Sequence, residues 1–297
     1  MQDPSNVPPA ATASAEADWP HAATSLSLAL RATPAERRAS LRLWLRWWHE
    51  TARIPLTIDD IGVAEAKLAW WLQAIADAQQ HAPQHPLLQG LKAALGDEAN
   101  PPLWAHMATQ VQALLGYLHQ NRWMDEASLA RHVTATTGQA AQGAAWLLGA
   151  RDAASLAAAQ AWGEAIRRHH LLARLGQDAR AGWVHVPIDV LQRFDVKAHQ
   201  LVKPTPGQVP AGLPGLLAHL HAQADTATQA ARVATRALPR SARQTLRPLA
   251  VLGAVQAAQG RAVAQSPEVV LFERVALTPL AKSWAAQQQV WRLLWSA

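Results

Sequence analysis

The chain of 297 residues carries 27 Lys and Arg against 21 Asp and Glu, a formal net charge of +6 with His neutral. Half of it is hydrophobic and only 16% is charged, which excludes a disordered chain, and the absence of cysteine excludes disulfide frameworks, thiolate zinc sites, iron–sulfur clusters and thiol nucleophiles. Fourteen Trp stand against one Tyr and two Phe, Ala and Leu dominate, and β-branched residues are sparse, so the composition predicts an all-α protein.

Residues 1–20 are rich in Pro, Ala, Ser and acids and lack the positive and apolar regions of a signal peptide; they predict a disordered leader before a single domain over 21–297. Leu26, Leu28 and Leu30 open a short helix. Pro34-Ala35-Glu36 starts a longer one with Leu41, Trp44, Leu45 and Trp48 on one face, ended by Pro55. Asp59 and Asp60 are placed to cap the next, where Ala64, Leu68, Trp71 and Ile75 recur at helical spacing. A short helix from Pro86 to Gly96 and one from Pro102 to His119 follow, and Asp125 or Ser128 starts another. From Asp152 the stretch DAASLAAAQAWGEAIRRHHLLARLG reads as one long helix, followed by a polar loop, QDARAGWVHVP, and a brief helical piece over IDVLQRF. The Pro/Gly-rich connector 203–215 precedes helices over 216–238, 241–259 and 279–295. Apolar runs are too short to cross a bilayer.

Phosphate-cradling glycine loops and nucleophile elbows are missing. His81 and His85 are four apart, but Pro83 between them disfavours a shared helix face, so they read as loop histidines. His219 and His221, two apart, fall on different sides of a helix and read as surface residues. Arg232, Arg236, Arg240, Arg243 and Arg247 run without an intervening acid. That pattern is either a solvated basic face or a stripe suited to diphosphate, anionic lipid or an acidic partner; no nucleic-acid motif accompanies it. In Trp47-Trp48 and Trp70-Trp71, helical geometry places one ring of each pair in the core and the other at its margin.

Several stretches together resemble the squalene/phytoene synthase family. PAERRASLRLWLRWWHE followed by GVAEAKLAWWLQAI is similar to its first active-site helix and the segment after it. The stretch from Arg122 through HVTATTG is similar to a segment ending in V-A-G-x-V-G. LLARLGQDARAGWVHVPIDVLQRFDV resembles N-I-x-R-D-x-x-E-D-x-x-x-G-R-x-Y-L-P-x-D-x-L-x-x-F-x-V, with Gly176, Asp178, Gly182, Pro187, Asp189, Leu191, Phe194 and Val196 in register. The closing RVALTPLAKSWAAQQQVWRLL is similar to the family's last helix. The resemblance implies a single isoprenoid-synthase-like helical bundle with a central cavity. In that family two D-x-x-x-D motifs hold Mg²⁺ against prenyl diphosphates that are joined head to head.

The chain departs from the pattern at the metal. The first acidic motif would fall on Thr51–Pro55, which contains no carboxylate. In the second, Arg174 replaces the leading Asp, Ala173 the Arg and Gln177 the Glu. Asp178 is the only retained metal-binding carboxylate, so no metal is expected with this set. His185 stands for the family Tyr, and Trp183 for the Arg after the loop glycine. Glu50 is the one acid beside the vacant motif. Tentative substrate-binding positions are therefore Glu50, His170, Arg174, Asp178 and His185.

The resemblance thus implies a catalytically impaired family member, of which a mitochondrial respiratory-complex assembly factor is a precedent. It would bind an isoprenoid, a prenyl diphosphate or a protein partner. The alternative is an active transferase that uses Mg²⁺ to make a squalene-, presqualene- or phytoene-like product. The expected setting is cytoplasmic, with peripheral contact at the inner membrane surface and no role for nucleic acid.

Overall fold

The computed structural model describes residues 19–21, 24–95, 101–120, 122–265 and 268–295, so most of the expected leader and Gly96 lie outside the described residues. Among the described residues every regular element is helical.

Helix α1 spans Ser25–Arg31, with Thr24 capping it through the Ser27 amide. A 3₁₀ turn over Ala35–Arg37 leads into α2, Arg38–Thr57. Pro55 therefore does not end α2 but sits inside its last turn, where the missing N–H forfeits a single bond and the ring is buried. Asp60 caps α3, Ile61–Gln80, accepting from the Val63 amide at 2.9 Å. Helices α4, Pro86–Leu95, and α5, Pro101–Leu118, complete this half of the molecule.

Asp125 and Ser128 share the start of α6, Glu126–Val133, as a reciprocal capping box. A π-helical turn over Thr134–Gly138 runs without a break into α7, Gln139–Leu147. The long helix expected from Asp152 is interrupted. Helix α8 covers Ala153–Ala173, and α9, Leu175–Arg180, continues after Arg174 leaves helical geometry at φ −110°, ψ 6°. The first four residues of the expected polar loop, Gln177–Arg180, are thus part of helix α9. Short helices α10, Ile188–Arg193, and α11, Ala198–Val202, precede α12, Leu213–Arg236. The expected 241–259 helix divides into α13, Arg240–Thr245, and α14, Arg247–Gln265. Helices α15, Val269–Phe272, and α16, Pro279–Trp295, close the chain.

Helix α8 is the axis of the bundle, packed by α12, α14, α7 and the π turn. Its Trp162 is fully buried and donates its indole N–H to Thr235 of α12 at 2.8 Å. On the other side, Trp44 of α2 donates to the Ala140 carbonyl at 2.9 Å. Gly143 makes that approach feasible, because a Cβ there would lie 2.2 Å from the Trp44 ring. The tryptophan pairs divide as helical geometry requires: Trp47 and Trp71 are core, Trp48 is partly buried and Trp70 is half exposed. No helix among the described residues is long and apolar enough to cross a membrane.

Candidate functional site

The break at Arg174 organises the site. Gly176, just after it, meets the α15 segment so closely that a Cβ would lie 2.3 Å from the Val270 carbonyl oxygen. Helix α9 is thereby pinned under α15, and Arg180 adds to this by donating to the carbonyls of Leu271 and Phe272. With its direction set, α9 buries Asp178 at 3% exposure.

Arg174 reaches forward one turn and grips one carboxylate oxygen of Asp178 with two nitrogens, Nε at 3.0 Å and Nη2 at 2.8 Å. The other oxygen, Oδ2, lies 3.6 Å from Nδ1 of His185. Nε2 of His185 is 2.6 Å from the Tyr117 hydroxyl on α5. Burial pushes the Tyr117 phenol up and the His185 imidazole well below its ordinary value, so both are neutral near pH 7. The assignment that serves both ends has the phenol donating to Nε2, leaving the Nδ1–H directed at Asp178. Asp178 itself is pushed up by burial, against the opposing charges of Arg174 and then Arg167. Tyr117 is further enclosed by the rings of Trp183 at 4.4 Å, His132 at 4.7 Å and Trp123 at 6.3 Å between centroids.

One turn back from Arg174, Arg167 donates to Nδ1 of His170 at 3.1 Å. His170 is pushed well down, first by burial and then by Arg167, Arg174 and Arg274, so three guanidiniums lie within electrostatic reach of one imidazole. Burial lowers Arg167 as well, with Tyr117 and Asp178 opposing, and depresses His132 to about 3. Against these arginines the cluster presents one carboxylate, already engaged. Planar Arg forks are the side chains that bind multiply charged anions through paired hydrogen bonds.

The structure thus brings together four of the five expected site residues: His170, Arg174, Asp178 and His185. The contacts of Glu50 are different. It pairs with Arg46 at 3.0 Å, and its charge acts on His49 and His85. Arg167, Arg274, Tyr117 and His132 were not singled out in the sequence. Arg167 had a signal, because 167, 170, 174 and 178 recur three, four and four apart on one helical stripe. Tyr117 and Arg274 come from distant segments with no local signature.

Magnesium does not fit these residues. It requires several oxygen donors in octahedral array, whereas Asp178 offers one oxygen to Arg174 and the other to the vicinity of His185. The stretch in place of the first acidic motif contributes Thr51, fully buried, whose hydroxyl donates back to the carbonyls of Trp47 and Trp48. No group of three His, Asp or Glu able to hold a metal occurs among the described residues.

The remaining histidines join other networks. His85 packs on Trp70 and Trp71, while His81 stays exposed. His219 and His221 are partly buried rather than surface residues: His219 pairs with Glu126 at 2.9 Å, and His221 lies 3.5 Å from Asp225. Beside His185 a cavity of about 40 Å³ is lined by Leu129, Leu171, Leu172 and Val184 among others. That is room for a water or two, not for a prenyl chain.

An all-helical bundle built around one long central helix, with this arginine and histidine cluster at that helix's C-terminal end, has the isoprenoid synthase fold. The squalene/phytoene synthase family model matches residues 20–281, and the chain belongs to that family. A dehydrosqualene synthase crystallised with a ligand is similar in structure, with a TM-score of 0.77 at 17% identity over 91% of this chain and 92% of that one. Squalene synthase HpnC from Alicyclobacillus acidocaldarius superposes with a TM-score of 0.60 at 12% identity, over 81% of this chain and 98% of its own. No curated protein matches the sequence.

Proposed function

We propose that this protein binds the diphosphate of an isoprenoid through the arginines of α8 and α9 and does not carry out Mg²⁺-assisted prenyl transfer. The observation that carries the reading is the engagement of Asp178. The one carboxylate kept from the family's metal-binding set is clasped by Arg174, which occupies the position of a second carboxylate in the family pattern. Prenyl diphosphates are the family's substrates, and a diphosphate needs cationic partners whether or not a metal supplies them.

In this reading Arg167 and Arg174 hold the phosphate oxygens, and Arg274 adds positive charge from the α15–α16 connection. His170 and His132 line the cleft as neutral donors. Asp178 faces Arg174 and keeps it oriented rather than meeting the ligand. Head-to-head coupling needs a polycation that gathers charge as diphosphate departs, together with room for two chains. Fixed guanidiniums bind the ground state, and the cavity beside His185 is small.

The test is incubation of the pure protein with farnesyl and geranylgeranyl diphosphate, with and without Mg²⁺, followed by product analysis. The proposal expects recovery of intact diphosphates in all four conditions. A C30 or C40 product formed only with Mg²⁺ would overturn it.

A further inference from the structure

Helix α16 presents two unlike faces. Ala285, Ala286 and Val290 pack against Leu28 of α1 and against Val251 and Val255 of α14. On the opposite side Leu280, Trp284 and Trp291 stand in solvent at 84%, 58% and 46% exposure. Their spacing, four and then seven residues, keeps all three within about 40° on the helix. The two indoles meet edge to face at 6.1 Å. An outward stripe of this size on a packed helix does nothing for the core.

The charge around this helix is predominantly positive. Helix α16 contains no acid, and the segment between Asp225 and Glu268 contains none while carrying Arg232, Arg236, Arg240, Arg243, Arg247 and Arg261. These arginines gather in space. Arg232 of α12 lies within electrostatic reach of Arg292 from α16, of Arg261 from α14 and of Arg236, with Asp225 the one acid among its charged neighbours. On another flank Arg240, Arg243 and Arg247 line a shallow pocket together with Leu293 of α16.

Two indoles and a leucine pointing outward, with arginines of α12, α14 and α16 clustered nearby, match the chemistry of a lipid headgroup layer. Indole favours the zone between water and hydrocarbon, and each basic side chain near an anionic leaflet adds attraction. A second copy fits less well, because a two-fold contact through this face would bring like arginine clusters together. We propose that the outer face of α16, with the surrounding arginines, docks the protein on an anionic bilayer surface, Leu280, Trp284 and Trp291 entering the headgroup layer.

Co-sedimentation of the full chain with vesicles tests this, using phosphatidylcholine alone and phosphatidylcholine mixed with phosphatidylglycerol. The wild type is expected to sediment with the mixed vesicles and far less with the neutral ones. Trp284→Ser with Trp291→Ser should lower the partition coefficient about tenfold at unchanged helicity and melting temperature, since both side chains lie outside the core. Arg261→Gln with Arg292→Gln should remove most of the preference for anionic lipid. Three results would overturn the proposal: no sedimentation of the wild type, equal partition of the tryptophan variant, or a dimer that dissolves on tryptophan substitution.

Discussion

The C-terminal half of α2 and the α8–α9 junction are the two places where the family pattern calls for metal-binding carboxylates, and they have diverged in opposite directions. On α2 the position became core. Thr51 is sealed against its own helix, and Trp44, Trp47 and Ile54 around it are buried. On α8 and α9 the position stayed polar but changed sign, with Arg167 and Arg174 meeting a single Asp178. A site for a divalent cation needs oxygen donors from both sides. Losing one side to packing removes the divalent site, and the proposed diphosphate site rests on the excess of guanidinium groups left on the other side.

The contrast predicts that acid harms the α8–α9 end first, and this is the largest effect expected. His132 and His169 are depressed to about 3 and about 4, and His170 and His185 fall well below the ordinary value, all chiefly by burial. Each is neutral in the fold while the unfolded chain takes up a proton near pH 6.5. Stability is therefore full above that pH and falls as pH drops below it, by about 1.4 kcal/mol per unit for each group until its folded value is reached. Thermal melts from pH 7.5 to 4.5 should show a steep decline. Pyrophosphate should recover part of it, because an anion in the cleft favours the charged forms of His132, His170 and His185. A flat profile would contradict the burial assigned to these rings.

Next in size is the packed end. Trp44→Ala should cost about 3–5 kcal/mol, through the emptied space beside Gly143 and the lost bond to Ala140, as read by chemical denaturation. It should do so equally at pH 7.5 and 5.5, since no titrating partner is involved.

Arg174→Gln is smaller, about 2 kcal/mol at neutral pH, because it strands a buried carboxylate. The folded value of Asp178 is already raised and would rise further without Arg174. The folded state then binds more protons than the unfolded one, so the penalty shrinks as pH falls through that value. Its pH dependence is opposite in sign to that of the histidines. A loss that grew with acidity would break the assignment of Arg174 to Asp178.

Much of the fold was legible because its signals are local or ordered along the chain. The Leu41, Trp44, Leu45 stripe, which the structure continues through Trp47 with Trp48 at its margin, and the Asp60 and Asp125 caps each depend on neighbours within two turns. The boundaries that went astray depend on remote contacts. The break at Arg174 follows from Gly176 meeting Val270, some ninety residues away, and Pro55 stays helical because its ring is buried. The same divide runs through the site. Arg174, Asp178, His170 and His185 lie on one continuous motif. Tyr117 reaches it from α5 and Arg274 from the far end of the chain. Glu50 was drawn in by its nearness in sequence to the vacant acidic motif, whereas its charge is taken up by Arg46.

The central claim is that guanidiniums, not a metal, hold the diphosphate. Calorimetric titration of farnesyl diphosphate into the wild type and Arg167→Gln, each with and without Mg²⁺, addresses it most directly. The account predicts wild-type binding that Mg²⁺ leaves unchanged or weakens, and an affinity about tenfold to a hundredfold lower in the variant. Binding that requires Mg²⁺, or that survives Arg167→Gln intact, would contradict it.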